Sequence, residues 1–113
     1  MIGPDERLGN AVLLENDLIR VWDHRVRAGE TGHLHLHQRP YLSVAIRSGR
    51  GETIDPSGKV LQQFKLEPGQ VYWYGTEHLP EAHVLRNTGP REIVLVTVEF
   101  LASSLPPEAA APA

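Results

Sequence analysis

Cysteine is absent from the 113 residues, which excludes disulfides, thiolate nucleophiles and zinc or iron–sulfur centres built on sulfur. Lysine is nearly absent: Lys59 and Lys65 are the only two, and the 11 basic residues face 14 acidic ones for a formal charge of -3. No stretch concentrates positive charge, so neither a nucleic acid nor an acidic membrane surface is expected as a partner. Long apolar runs are missing as well. No segment approaches the roughly 18 apolar residues of a membrane helix. The start, Met1-Ile2-Gly3-Pro4-Asp5-Glu6-Arg7, has no basic stretch leading into an apolar run, so no signal peptide is read and a cytoplasmic location is expected.

What is present is a 41% hydrophobic chain, enough for one core and too short for two. At this size the core alone gives modest stability, and a partner subunit or a bound metal would add to it. Residues 1–10 read as an N-terminal arm, 11–101 as the working domain, and 102–113, rich in alanine and proline, as a loose tail. Within the domain, turn residues cluster at Gly29-Glu30-Thr31-Gly32, Ser48-Gly49-Arg50-Gly51, Asp55-Pro56-Ser57-Gly58, Glu67-Pro68-Gly69 and Asn87-Thr88-Gly89-Pro90. The runs between them are short and rich in β-branched and aromatic residues, at 18–26, 33–37, 41–46, 51–54, 59–66, 71–74, 83–85 and 92–100. None has room for a 12-residue helix, so the expectation is an all-β sandwich or barrel. Asp55-Pro56-Ser57-Gly58 is expected to close a hairpin, and Asn87 to support the turn that follows it.

Histidine carries the chemistry. On a strand, His33, His35 and His37 project from one face while Leu34 and Leu36 project from the other. Neutral imidazoles suit first-row metals, and a pair two residues apart can grip one ion if a further ligand arrives from a distant strand. The plainer reading is a set of exposed strand histidines without a metal.

At this point the chain resembles the cupin superfamily, small β-barrels whose first motif runs Gly, five residues, His-x-His, three or four residues, Glu, six residues, Gly. Gly29, His35, His37 and Gly49 fit it, while the glutamate position falls on Leu42, just after Tyr41. The second motif runs Gly, five residues, Pro-x-Gly, two residues, His, three residues, Asn. Gly69 opens it here, Gly75 and Glu77 replace the proline and second glycine, and His83 and Asn87 close it after an insertion of three residues. The resemblance spans most of 18–100 and implies a double-stranded β-helix, or jelly-roll, barrel. It also implies His35, His37 and His83 as metal ligands without the usual carboxylate. His33 and His78 are the competing ligands, and His24 reads as an ordinary, partly exposed strand residue.

Three neutral imidazoles leave coordination positions open and the ion's charge uncompensated, so an anionic small molecule is the expected ligand. Tyr41 and Glu81 are the candidate catalytic residues, as proton steerers. Arg39 is a candidate clamp for a substrate carboxylate, with a rim arginine paired to a surface acid as its alternative. Val71-Tyr72-Trp73-Tyr74 must send a large ring inward whichever parity it takes, which makes Tyr72 and Tyr74 candidate substrate-wall residues. The almost continuously apolar Ile93-Val94-Leu95-Val96-Thr97-Val98 suits a strand covered on both faces, by the barrel and by a second copy in a homodimer. The expected activity is metal-dependent turnover of a small organic acid, an oxidoreductase of dioxygenase type with Fe(II) favoured and Zn, Ni, Mn or Cu compatible. The alternative is a noncatalytic small-ligand or metal-binding module.

Overall fold

The computed structural model describes residues 7–101, with His78 described by its backbone alone. The outer part of the expected arm, the whole of the expected tail and the question of His78 as a ligand therefore lie outside the described residues and side chains. Among the described residues nine strands make two antiparallel sheets. They are β1 (Ala11–Glu15), β2 (Ile19–Val26), β3 (His35–His37), β4 (Tyr41–Ala45), β5 (Gly49–Ile54), β6 (Val60–Leu66), β7 (Val71–Tyr74), β8 (Glu81–Asn87) and β9 (Ile93–Phe100), with one 3-10 turn at Thr76–His78. The larger sheet runs β1-β2-β9-β4-β7 and the smaller β3-β8-β5-β6. No helix among the described residues is long and apolar enough to cross a membrane.

The connections follow from the turn chemistry. Between β5 and β6, Asp55 Oδ1 accepts from the backbone N–H groups of Ser57 and Lys59, both at 2.9 Å, and Gly58 takes φ 94°. A side chain carrying a Cβ is strained in that region. Asn87, at the end of β8, donates from Nδ2 to the carbonyls of Val26 (2.9 Å) and Arg91 (2.7 Å) and accepts from Gly89 N–H at 2.9 Å. It ties the turn before β9 to the end of β2.

β9 sits centrally in the larger sheet, paired with β2 on one side and β4 on the other. Its inner residues Ile93, Leu95, Thr97 and Glu99 are buried, while Val96, Val98 and Phe100 are half-buried on the outer face. Val26, Ala45, Leu66, Leu85, Ile93 and Leu95 form the core between the sheets, where each large side chain contributes about 1.5–3 kcal/mol of burial. Two departures from the sequence reading stand out. Residues 11–15 form a strand that the run pattern did not identify, and Leu8, placed in the arm, is only 2% exposed.

Candidate metal centre

β3 and β8 pair so that His35 lies directly opposite His83. Opposite residues in an antiparallel pair share a face, as do residues two apart on one strand, so His35, His37 and His83 all turn inward. They are 2%, 3% and 5% exposed. Their ring centroids form a near-equilateral triangle, 4.7 Å from His35 to His37, 4.6 Å from His35 to His83 and 4.7 Å from His37 to His83. One nitrogen of each lies within 4.8 Å of the others, an arrangement able to hold a metal ion.

The hydrogen bonds behind the rings orient them. His83 Nδ1 lies 2.5 Å from Glu81 Oε1 and His35 Nδ1 lies 3.3 Å from the His33 carbonyl. Both acceptors call for a proton on Nδ1, which leaves the Nε2 lone pairs free for a cation. His37 differs: its buried Nδ1 has no partner, while its Nε2 stands 3.0 Å from His83 Nε2. Two nitrogens held at right angles about an ion, each about 2.1 Å from it, stand about 3.0 Å apart, so the pair fits a shared cation. Burial pushes the His35 imidazolium far below its usual range and that of His37 down to about 2, and the neighbouring imidazoles add to both shifts. Burial also lowers His83, partly opposed by Glu81. All three are neutral at pH 7, the form that ligates.

His24 belongs beside this triad, correcting its reading as an ordinary strand residue. It is 7% exposed, its ring lies 5.7 Å from that of His35, and burial first and then His33 bring its pKa down to about 4. The signal was in the sequence: Trp22, His24 and Val26 alternate along β2, and all three are buried. His33 instead lies outside β3, exposed, with Nε2 2.7 Å from the Arg7 carbonyl, and is not part of the convergent group.

The motif's glutamate position, Leu42, faces away from the centre, whereas Tyr41 just before it faces the centre. Its ring stacks on His37 at 3.8 Å and 11° and on Tyr74 at 4.7 Å and 15°. Leu42 pairs with the exposed Trp73 on the other face. The Tyr41 hydroxyl has no hydrogen-bond partner among the described residues, and burial raises its pKa strongly, with Tyr74 and Glu81 adding to the shift. Tyr72 and Tyr74 also line the cavity, whereas Trp73, at 60% exposure, points away from it. Tyr74 is pushed up to about 12, chiefly by burial.

Arg39 does not line the cavity. Its guanidinium lies 3.4 Å from Glu99, which also accepts from Trp22 Nε1 at 3.1 Å. Arg39 thus pairs with a buried acid, Glu99 at 5% exposure, rather than with a surface one. Glu81 likewise is engaged behind His83 rather than lining the cavity. The sequence reading passed over Ser43 and Thr97, register partners on β4 and β9 whose hydroxyls bond to each other at 2.8 Å in the cavity wall.

No family model matches the chain, and no curated protein matches it either. Solved structures do. A cupin domain protein from Bordetella pertussis Tohama I is 23% identical with a TM-score of 0.68, over 80% of this chain and 88% of that one. An uncharacterized conserved protein with a double-stranded beta-helix domain from Klebsiella pneumoniae is 21% identical with a TM-score of 0.62, over 88% of this chain and 85% of that one. A polyketide cyclase from Streptomyces resistomycificus is 13% identical with a TM-score of 0.56, over 76% of this chain and 56% of that one. Likeness at these identities speaks to architecture. Two antiparallel sheets closing over a buried histidine triad, superposing on these proteins over most of the chain, give it a double-stranded β-helix fold like theirs.

Proposed function

We propose that the protein is a metal-dependent enzyme acting on a small organic acid, with a single divalent ion held by His35, His37 and His83. The convergence of three buried, neutral imidazoles on one cavity carries the proposal. Iron(II) is the favoured ion, with zinc, nickel, manganese and copper compatible with the same donors. Bound there, the ion would supply Lewis acidity and, as iron, one-electron chemistry suited to dioxygenase-type turnover. The polyketide cyclase with a similar fold supports an enzymatic reading.

The chain's own residues have distinct tasks in this reading. Glu81 holds the His83 Nδ1 proton and fixes the ring's orientation. Because the donors carry no charge, an ion held by them would attract an anionic oxygen of the substrate. Tyr41, kept protonated by burial and without a hydrogen-bond partner among the described residues, would donate its phenolic hydrogen to that oxygen. The cavity wall around the histidines is largely apolar, which strengthens electrostatic interactions inside it.

Elemental analysis of tag-free protein tests the first half. We expect one ion per chain, lost in His35→Ala and His83→Ala variants whose circular dichroism still reports the β fold. Tyr41→Phe should keep the ion and lose about 100-fold in turnover once a substrate is in hand. Folded wild-type protein that takes up no metal after anaerobic reconstitution would return the reading to a noncatalytic binding barrel.

A further inference from the structure

The chemistry of the cavity wall narrows what the site can accept. Among the described residues no lysine, arginine, aspartate or glutamate lines it. Phe64, Leu66, Leu85 and Leu95 supply its apolar lining. Several polar groups on the wall are already engaged. The hydroxyls of Ser43 and Thr97 bond to each other at 2.8 Å, and those of Tyr72 and Tyr74 reach Gln70 at 2.7 Å and Gln62 at 3.4 Å. Apart from the histidines, only the hydroxyls of Tyr41 and Thr53 are left without a side-chain or backbone partner among the described residues.

From this lining we infer that the substrate is a small monoanion with one oxygen head and a short apolar body, with the head at the histidine centre beside Tyr41 and the body against Phe64, Leu66, Leu85 and Leu95. The inference rests on the metal-centre reading and adds the class of molecule to it. A second carboxylate at the far end of the substrate would lose its water and meet no cation. A polyol would bury several hydroxyls against a wall with too few free partners. Size is limited as well. The cavity volume is about 50 Å³, well below the roughly 150 Å³ that encloses a benzene ring, so only a short body is accommodated. The stacked arrangement of His37, Tyr41 and Tyr74 adds a preference of its own. Tyr41 lies between the other two rings with both faces covered, so it offers the cavity its edge and hydroxyl, the positive part of an aromatic ring, which suits an oxygen anion.

Cobalt(II)-loaded protein provides the test, because its visible spectrum reports a ligand entering the metal's coordination sphere without any need for turnover. Four probes of related skeleton are titrated: butyrate, succinate, 3,4-dihydroxybutyrate and octanoate. Butyrate is expected to change the spectrum and to bind at least tenfold more tightly than each of the other three. Succinate or dihydroxybutyrate binding as tightly as butyrate overturns the single-headed, apolar-bodied assignment. Octanoate binding more tightly overturns the size limit, and a spectrum insensitive to butyrate overturns the whole inference. In each of these cases cobalt uptake itself leaves the metal centre standing. Failure of wild-type protein to take up cobalt, or equal uptake by His35→Ala, removes the metal centre and this inference with it.

Discussion

Glu81 lies two residues before His83, and its carboxylate accepts the Nδ1 proton of that ring at 2.5 Å. A carboxylate in this position fixes the tautomer and makes the opposite nitrogen a better donor. Glu81→Gln should therefore lower affinity for a divalent ion by about 10- to 100-fold while leaving the fold intact. Competition with a chelator of known affinity measures it, and unchanged affinity would remove Glu81 from the site. The triad itself was legible because alternation puts His35 and His37 on one face and the motif resemblance supplied a distant His83. The role of Glu81 was less legible, since proximity along the chain marks a carboxylate near the site but not which atom it touches. Arg39 illustrates the same limit. Its nearest acid, Glu99, is 60 residues away and reaches it only through the pairing of β4 with β9.

At the scale of elements, turns were read well and edges poorly. The Asp55 hairpin and the Asn87 turn depend on local side-chain bonding that residue types announce directly. β1 announces nothing of the kind. All five of its residues are exposed and Leu13-Leu14 breaks any alternation, so its strand character comes from pairing with β2. Asn87 makes a prediction possible here. It is 2% exposed and makes three hydrogen bonds joining β8, the following turn and the end of β2. Asn87→Ala leaves two carbonyls and one N–H without their partner, which should cost about 2–4 kcal/mol. Urea denaturation would show this as a lower midpoint at an unchanged slope. A loss below 0.5 kcal/mol would mean that the turn closes without this side chain.

For the whole molecule, the histidine cluster that equips the site also sets how the protein responds to acid. Metal-free protein keeps His24 neutral down to about pH 4 and His37 to about 2, both through burial, and His35 and His83 are lowered as well. In the unfolded chain the same groups take up protons near 6.5. Above that value neither state is protonated and these groups leave stability unaffected. Below it the unfolded state binds protons that the folded state refuses, so stability falls as pH drops, by about 1.4 kcal/mol per pH unit for each such group. Thermal unfolding after chelation should accordingly show a Tm falling steadily from pH 7 to pH 5, and a flat profile would show that the cluster is not buried as a set of neutral rings. The outer face of the larger sheet poses the remaining question, one that the apolar run of β9 already raised. Trp73, Val71 and Ile46 are 60%, 57% and 49% exposed. Register sets Leu42 between Trp73 and Val98, and Val44 between Val71 and Val96, while Phe100 packs 5.7 Å from Trp73. These residues make one contiguous apolar surface across β7, β4 and β9, with Leu42, Val44 and Ile46 along its middle, unlike the scattered exposure usual in monomers. A flat sheet face of this kind can meet its own copy about a two-fold axis, contributing toward the roughly 800 Å² per partner of a stable interface. Sedimentation should therefore find a dimer in wild-type protein. Trp73→Glu, which places a charge on the most exposed side chain of that face and none near the cavity, should give a folded monomer that still binds metal; a monomeric wild type, or a dimer indifferent to Trp73→Glu and Val71→Asp together, would place the contact elsewhere or remove it.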